Sequence, residues 1–97
     1  MATQLRLFTI NRDCLQQFAE EWQDKILPLR TEHGFHVLSA WVIAETNQFA
    51  WLISYSGDES WNDREVSYYA SAARAGLEPN PARFIARAEE YFVDQLV

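Results

Sequence analysis

Two neighbouring segments are apolar at both odd and even positions, and this pattern limits the possible folds more than any other feature of the sequence. Residues 35–43 and 49–55 are rich in aromatic and β-branched side chains, and the polar residues 45–48 separate them, which predicts a β-hairpin. A strand with one face in water alternates apolar with polar residues. Because these two strands do not alternate, we expect their sheet to be covered on both faces.

The N-terminal third predicts a strand followed by a helix. Residues 4–10 alternate in the manner of a β-strand, and residues 15–29 carry apolar side chains at three- and four-residue steps, which is typical of an amphipathic helix. Pro28 lacks the amide proton that would bond the carbonyl of Asp24, so we expect a kink or break there. Gly34 is the natural residue beyond the helix end because glycine tolerates positive φ.

The C-terminal half predicts a second helix and one undecided segment. Ser56–Glu59 is a capping box that would start a helix, and we expect this helix to end near Gly76, before the break at Pro79–Pro81. Residues 84–96 fit helical spacing better than any other pattern, but residues 90–93 also fit a terminal strand. The order is therefore β-α-β-β-α, followed by an element that periodicity leaves open.

The length of 97 residues predicts one domain, spanning residues 1–97. Two helices cover only one face of its sheet. The other face would expose aromatic side chains that bury about 150–250 Å² each, more than monomers usually leave in water. We therefore expect a second copy of the chain to cover it, in a homodimer that pairs sheet faces.

Charge and cysteine content argue against several classes of protein. Acidic residues outnumber basic ones by 14 to 8, with a single lysine and a net charge of −6, which argues against a nucleic-acid partner. Cys14, the only cysteine, cannot form an internal disulfide or a cysteine-rich zinc site. Neither a leader-like start nor a long uncharged apolar stretch is visible, so we expect a cytoplasmic protein without a membrane partner.

One parity of strand side chains supplies a candidate ligand site. If the bulky face points into the space between two paired sheets, an aromatic wall forms with Arg6 as its only cation. That wall consists of Phe8, Trp41, Trp51 and Tyr55. Such a pocket suits a planar hydrophobic ligand, with Tyr69 of the second helix at its mouth. The alternative is that the rings fill the core or the dimer contact, and that Arg6 forms a structural ion pair, for example with Glu90.

Two histidines, His33 and His36, are the only side chains that ordinarily titrate near neutral pH. His33 is explained by its place at a helix end, where an imidazolium meets the last carbonyls. His36 or Tyr55 is therefore the candidate for moving a proton, with Arg6 holding a substrate oxygen. Two histidines without a third nearby ligand do not make a metal site, and no phosphate loop or dinucleotide motif is present. We expect no metal and no cofactor.

Several short stretches together resemble the NIPSNAP family, within the larger group of dimeric α+β barrel proteins. They span nearly the whole chain: Leu5-Arg6-Leu7-Phe8-Thr9, Pro28-Leu29-Arg30, Glu32-His33-Gly34-Phe35, Trp41, Asn47-Gln48-Phe49-Ala50-Trp51-Leu52, and Tyr69-Ala70-Ser71 before Arg74. The resemblance implies a ferredoxin-like α+β protomer in the order β-α-β-β-α-β. Its four-stranded antiparallel sheet would carry two main helices on one face and end in a strand from about residue 87. It also implies pairing into a dimeric α+β barrel.

The resemblance leaves the activity open, because relatives include cofactor-independent oxygenases, isomerases, haem-degrading enzymes and proteins of no known activity. We interpret the chain as a small-molecule-binding barrel. The catalytic version that the resemblance implies is a cofactor-independent oxygenase or an isomerase or cyclase acting on a planar hydrophobic metabolite. The alternative is a non-catalytic homodimeric scaffold or accessory protein.

Overall fold

Four strands form one antiparallel sheet in the computed structural model, which describes residues 2–97. They are β1 (Ala2–Ile10), β2 (His36–Ile43), β3 (Gln48–Tyr55) and β4 (Ile85–Phe92). Their order across the sheet is β2-β3-β1-β4, so the predicted hairpin of β2 and β3 is confirmed. The first strand of the chain lies in the middle of the sheet and bonds to the last.

The helices pack on one face of this sheet. α1 (Leu15–Glu21) and α2 (Leu27–Glu32) are continuous through a π-helical turn at Trp22–Ile26, and α3 (Trp61–Ala70) and α4 (Ala72–Ala75) follow β3. Short 3₁₀ turns lie at Ala44–Thr46 and Pro81–Phe84. None of the helices between residues 2 and 97 has the length and apolar content to span a membrane. The order β-α-β-β-α-β with one helical layer is an α+β ferredoxin-like fold, as the resemblance implied.

The terminal segment is a strand. It pairs antiparallel with β1, from Phe92 opposite Gln4 to Ile85 opposite Ile10, so the helical spacing of residues 84–96 does not decide its structure. The backbone N–H and C=O groups of β1 that point away from β3 need hydrogen-bond partners when they are buried. These non-local bonds outweigh the local periodicity.

The long first helix keeps one column of side chains buried along its whole length. Phe18, Trp22, Ile26 and Arg30 are spaced by four residues, and each is at most 7% exposed. In a regular α-helix this spacing would rotate the column by roughly 120° from first to last, and the wider π turn offsets that drift. Pro28 follows the turn, at the start of α2, so the expected break is replaced by a local change of helix type.

Aromatic rings fill the space between the sheet and the helices. β1 and β3 place Phe8 opposite Phe49 and Arg6 opposite Trp51, and all four of these side chains are buried on the helix face. Trp22 of the π turn packs against Phe49 and Trp51, with ring centres 4.9 and 5.3 Å apart. The strand face that carries Arg6 is therefore the core face, and the guanidinium carbon of Arg6 lies 5.5 Å from the ring centre of Trp51.

One extra residue, Leu38, interrupts the pairing of β2 with β3. Val37 lies opposite Ile53 and Ser39 lies opposite Leu52, so Leu38 has no partner of its own in the ladder. A bulge of this kind moves every side chain that follows it to the other face of the sheet.

The bulge places Trp41 on the face away from the helices. Trp41 lies opposite Ala50, which alternates with the helix-facing rings of β3. The prediction that Trp41 shares one wall with Phe8, Trp51 and Tyr55 is therefore wrong. The sequence prediction assumes an unbroken period of two along β2, and this period breaks at Leu38.

The open face of the sheet, away from the helices, is apolar at its centre. It carries Leu5, Leu7 and Leu52, which are half-buried, together with the rings of Trp41 and Tyr91, which are 48% and 49% exposed. Both parities of the strands are thus apolar, as the sequence indicates, and the helices cover only one of them.

Two helix ends test the sequence predictions in detail. Gly34 follows α2 with φ of 84°, which confirms its predicted role beyond the helix end. The capping box predicted at Ser56–Glu59 is wrong, because Ser60 is the residue before α3 and its hydroxyl accepts from the Asp63 amide at 3.1 Å. A serine with an acid three residues later also fits at Ser60, four residues downstream of the predicted start.

Candidate ligand-binding site

Two arginines and one glutamate form a buried ion cluster between the sheet and the helices. Arg6 of β1 and Arg30 of α2 are 2% and 1% exposed, and both donate to the carboxylate of Glu65 on α3. Arg6 Nη2 lies 2.8 Å from Glu65 Oε2, and Arg30 Nη1 donates to Oε1. Glu90 lies opposite Arg6 in the register of β1 and β4, but the ion pair expected for Arg6 is formed with the helix residue Glu65 instead.

Gln4 and Tyr69 extend this cluster. Arg6 Nε donates to Gln4 Oε1 at 2.8 Å. The hydroxyl of Tyr69 accepts from Arg6 Nη1 at 3.5 Å and from Arg30 Nη2 at 3.2 Å. Tyr69 is 47% exposed, so its side chain links the buried arginines to the surface.

Burial and ion pairing have opposite effects on the pKa values of Glu65 and Arg6. Burial acts to raise the pKa of Glu65, but the hydrogen bonds and charges of Arg30 and Arg6 outweigh it, so this pKa lies below its ordinary value. Burial likewise disfavours the charge on Arg6, yet the Glu65 carboxylate raises the pKa of Arg6 above its ordinary value. At neutral pH the cluster therefore holds two positive charges and one negative charge.

Aromatic rings surround the Arg30 guanidinium. Its central carbon lies 3.9 Å from the ring centre of Tyr68, 4.6 Å from that of Phe35 and 5.3 Å from that of Tyr69. The faces of such rings carry partial negative charge, which stabilises a cation that has been removed from water. Packing against these rings therefore holds the Arg30 side chain in place and also stabilises its positive charge.

A partly open cavity of about 100 Å³ lies beside the cluster, between the helical layer and the sheet of one chain. Rings make up much of its wall: Phe8 and Trp51 from the sheet, Trp22 from the π turn, and Tyr68 and Tyr69 from α3. This cavity lies on the helix side of the sheet and is therefore distinct from the one expected between two paired sheets. The reason is that the strand parity with the bulkiest side chains faces the helices.

Arg30 and Arg74 are the charged side chains of the cavity wall. Arg74 lies in α4 and is 8% exposed; its Nη1 donates to Asn80 Oδ1 at 3.2 Å, and its guanidinium carbon lies 5.3 Å from the ring centre of Tyr69. Arg74 forms no salt bridge with any residue from 2 to 97. The wall therefore carries positive charge that Glu65 balances only in part.

The structure brings several of the predicted site residues together. Phe8, Trp51 and Tyr69 line the cavity, and Arg6 is bonded to Tyr69 at its edge. Phe8, Trp51 and Arg6 lie on the strand face that the helices cover, and Tyr69 lies on α3.

Three other predicted site residues lie elsewhere. Trp41 is on the open face, and Tyr55 packs against Phe35, with ring centres 5.5 Å apart, without reaching the cavity wall. His36 is exposed at the start of β2, opposite Ser54. The candidates for proton transfer and the cavity are thus on different parts of the sheet.

Several wall residues were not among the predicted site residues, including Trp22, Arg30 and Arg74. Arg30 could have been found, since it continues the four-residue spacing of Phe18, Trp22 and Ile26 and so falls on the apolar stripe. A permanently charged side chain on a buried stripe needs a partner. Arg74 carries no comparable signal, because α4 is too short to show a periodicity.

The histidines do not build a metal site. His33 Nδ1 lies 2.8 Å from the carbonyl oxygen of Leu29, at the end of α2, and its ring packs edge to face against Tyr68. Within residues 2–97, no three side chains of His, Cys, Asp or Glu come together in a metal-binding group.

Comparisons with known proteins bear on the fold. Neither a scan against protein-family models nor a search of curated proteins gives a match, whereas solved structures do match. An uncharacterized NIPSNAP domain protein from Burkholderia xenovorans has a TM-score of 0.83 at 15% identity, over 98% of this chain and 94% of that one. A NIPSNAP family protein from Agrobacterium tumefaciens has a TM-score of 0.82 at 11% identity, over 95% and 90%. A putative antibiotic biosynthesis monooxygenase from Nitrosomonas europaea has a TM-score of 0.69 at 12% identity, over 98% and 89%.

These likenesses span nearly all of each chain, and identities this low carry the fold alone. The resemblance noted in the sequence is thereby confirmed at the level of architecture. The chain has the ferredoxin-like α+β fold that NIPSNAP domain proteins share with proteins of the antibiotic biosynthesis monooxygenase type.

Proposed function

We propose that this protein binds a small molecule in the cavity between its sheet and its helices. The observation that carries the proposal is the combination, in one cavity wall, of packed aromatic rings with buried arginine side chains. Ligand sites are typically apolar concave surfaces with a few fixed polar groups. The NIPSNAP and monooxygenase-like structures agree with this proposal in fold only.

The buried charges support binding over a purely structural role. Replacing a buried ion cluster by well-packed apolar side chains is often neutral or stabilising, so stability alone gives little reason to bury Arg6 and Arg30. A ligand that needs a fixed cation does give such a reason. Because aromatic contacts already hold Arg30 in place, little ordering is needed when a ligand binds.

The size of the cavity limits the ligand. Drug-sized molecules occupy about 300–1,000 Å³, and a cavity of about 150 Å³ is known to admit benzene. A volume of about 100 Å³ therefore suits a ligand of only a few heavy atoms, or one end of a longer molecule that passes Tyr69. The planar metabolite expected from the sequence fits only in this second way.

A homodimer is the second part of the proposal. The open face presents Leu5, Leu7, Leu52, Trp41 and Tyr91 to solvent in one chain, and the helices lie on the opposite side. A two-fold axis lets the same patch serve both partners. In this assembly the cavity of each chain stays within that chain, so the dimer supports the sheet behind the site.

Binding is tested by blocking the cavity without touching its polar groups. Ala82 lines the cavity, so Ala82→Leu should fill much of it, whereas Ala73→Leu on the exposed side of α4 leaves it unchanged. Four probes are titrated into both variants and wild type: benzene, 1-butanol, butyrate and butyramide. We expect saturable changes in the indole N–H NMR signals of Trp22 and Trp51 in the wild type and in Ala73→Leu, but not in Ala82→Leu. If no probe produces them, the protein does not bind small molecules in this cavity, and the non-catalytic scaffold remains.

A further inference from the structure

We propose that the ligand carries a carboxylate, which the hydrogen-bond donors of the cavity wall bind. This inference rests on the proposed function, because it names the chemical class of the ligand for the same cavity.

The first observation is a set of buried donors that have no partner in the protein. Six buried side-chain polar atoms lack a hydrogen bond within residues 2–97, and five of them belong to residues of the cavity wall. These five are Trp22 Nε1, Arg30 Nε, Trp51 Nε1, Tyr68 Oη and Arg74 Nε. Indole and guanidinium nitrogens can only donate, and an unsatisfied buried donor costs about 1–3 kcal/mol. A ligand that satisfies them must present acceptor oxygens.

The Tyr68 hydroxyl also acts as a donor. Burial raises the pKa of Tyr68 above its ordinary value, although Arg30 and Arg74 act to lower it. The hydroxyl therefore keeps its proton at neutral pH and can give it to an acceptor. Its neighbours in the wall, Arg30 and Arg74, are cations and cannot accept that bond.

The second observation is charge. Arg6, Arg30 and Arg74 are three buried guanidinium groups, and Glu65 is the only carboxylate that pairs with any of them among residues 2–97. The buried groups around the cavity thus hold an excess of two positive charges, in a chain whose net charge is −6, and the exposed Glu90 opposite Arg6 offsets it only in part. Because the chain as a whole is acidic, these buried cations are not part of a generally basic surface. A neutral carbonyl would satisfy the donors but leave the charge, whereas an anion satisfies both.

Size and shape favour a carboxylate over a phosphate. Arginine binds a carboxylate through two parallel hydrogen bonds in one plane, and a small carboxylate needs little room. A phosphate dianion would bring more oxygens and a larger hydration shell into a space of about 100 Å³. The wall also supplies indole rings, which suit the apolar body of an organic acid better than they suit an inorganic ion.

The test compares butyrate with butyramide, which has the same shape and no charge. In ¹⁵N-labelled full-length protein, the indole N–H signals of Trp22 and Trp51 report on the cavity. The indoles of Trp41 and Trp61, which lie outside its wall, serve as internal controls. We expect butyrate to shift the two cavity signals saturably and to bind at least about tenfold more tightly than butyramide, which corresponds to about 1.4 kcal/mol.

Variants connect this preference to the named donors. Tyr68→Phe removes only the hydroxyl, whose proton has no acceptor among residues 2–97, so the fold should persist while butyrate affinity falls at least about threefold. Arg74→Gln should reduce the ratio of butyrate to butyramide affinity towards one. Arg87→Gln, at a side chain that is 72% exposed, should leave both affinities unchanged.

Each other outcome contradicts a defined part of the proposal. Equal binding of butyramide and butyrate overturns the carboxylate and leaves small-molecule binding intact, as does tighter binding of inorganic phosphate. A ratio of affinities that is unchanged in both Tyr68→Phe and Arg74→Gln also overturns it, because the donors would then play no part. If neither compound, nor benzene or 1-butanol, shifts the signals of Trp22 and Trp51, the proposed function itself fails.

Discussion

The guanidinium carbon of Arg30 lies 3.9 Å from the ring centre of Tyr68, with the cation over the face of the ring. The contact joins α2 to α3, and both residues line the cavity. It stabilises a charge that is 1% exposed. One pair of residues thus holds the helical layer together and shapes the wall of the candidate site.

Glu65→Gln tests the energetic weight of the ion cluster. Removing the carboxylate leaves Arg6 and Arg30 buried without a counter-charge, so the free energy of unfolding should fall by about 3–5 kcal/mol. Urea denaturation measures this. Glu59→Gln, whose salt bridge to Arg64 is 3.7 Å long and exposed, should change the same free energy by no more than about 0.5 kcal/mol. Equal effects of the two variants would contradict the cluster's role.

The same carboxylate predicts how stability depends on pH. The pKa of Glu65 is lower in the folded than in the unfolded chain, so its contribution is fully present above the unfolded pKa of about 4.3. That contribution is lost as the pH falls through the lower folded pKa. Urea midpoints of the wild type should therefore decline below about pH 4.3, and more steeply than those of Glu65→Gln. Glu21, whose pKa is lowered by its hydrogen bond to Arg83, contributes a decline that remains in the variant.

Trp41→Glu tests the proposed dimer. At micromolar concentration we expect light scattering to give the wild type twice the chain mass of 11.3 kDa. A charge in place of the exposed ring on the open face should weaken association at least about thirtyfold, as loss of a 2 kcal/mol interface anchor would. Val66→Glu, at the 67% exposed side chain on α3, should leave the dimer unchanged. A wild-type mass of 11.3 kDa would rule the dimer out.

Gly34→Ala tests the backbone at the end of α2. Gly34 has φ of 84°, where a side chain costs about 1–2 kcal/mol. A Cβ there would make only ordinary contacts, the nearest being Tyr55 Cε1 at 3.8 Å, so the loss of thermal stability should come from the backbone alone. Asn47→Gly, at φ of 55°, should also destabilise, but for a different reason, because it removes the hydrogen bonds that Asn47 Nδ2 donates to the carbonyl oxygens of Ile10 and Asn11 at 2.6 and 3.3 Å.

How far the sequence predicts this protein depends on whether a feature is local. The apolar side chains at both odd and even positions of residues 35–43 and 49–55 correctly indicate a sheet with two apolar faces. Gly34 correctly marks a helix end. The terminal strand is not local, since residues 85–92 obtain their hydrogen bonds from β1 at the far end of the chain. Periodicity within the segment could not reveal those bonds, and the family resemblance could.

The candidate site shows the same division. Phe8, Trp51 and Arg6 share one strand parity and were predicted together, because alternation along a strand is a local property. Arg74 reaches the cavity from α4, which only the path of the whole chain places there. The partner of Arg6 was misjudged for the same reason, since Glu65 lies 59 positions along the chain.

The unpaired residue in β2 decides which face of the sheet receives the side chains that follow it. If Leu38 were paired with Leu52, in the register that Val37 has with Ile53, Trp41 would lie opposite Phe49, beside the helices. Deletion of Leu38 would instead join Val37 directly to Ser39 and leave Trp41 opposite Ala50, so the indole would stay in the subunit contact proposed here. A single-codon deletion would then straighten the edge strand without exchanging the side chains of its two faces.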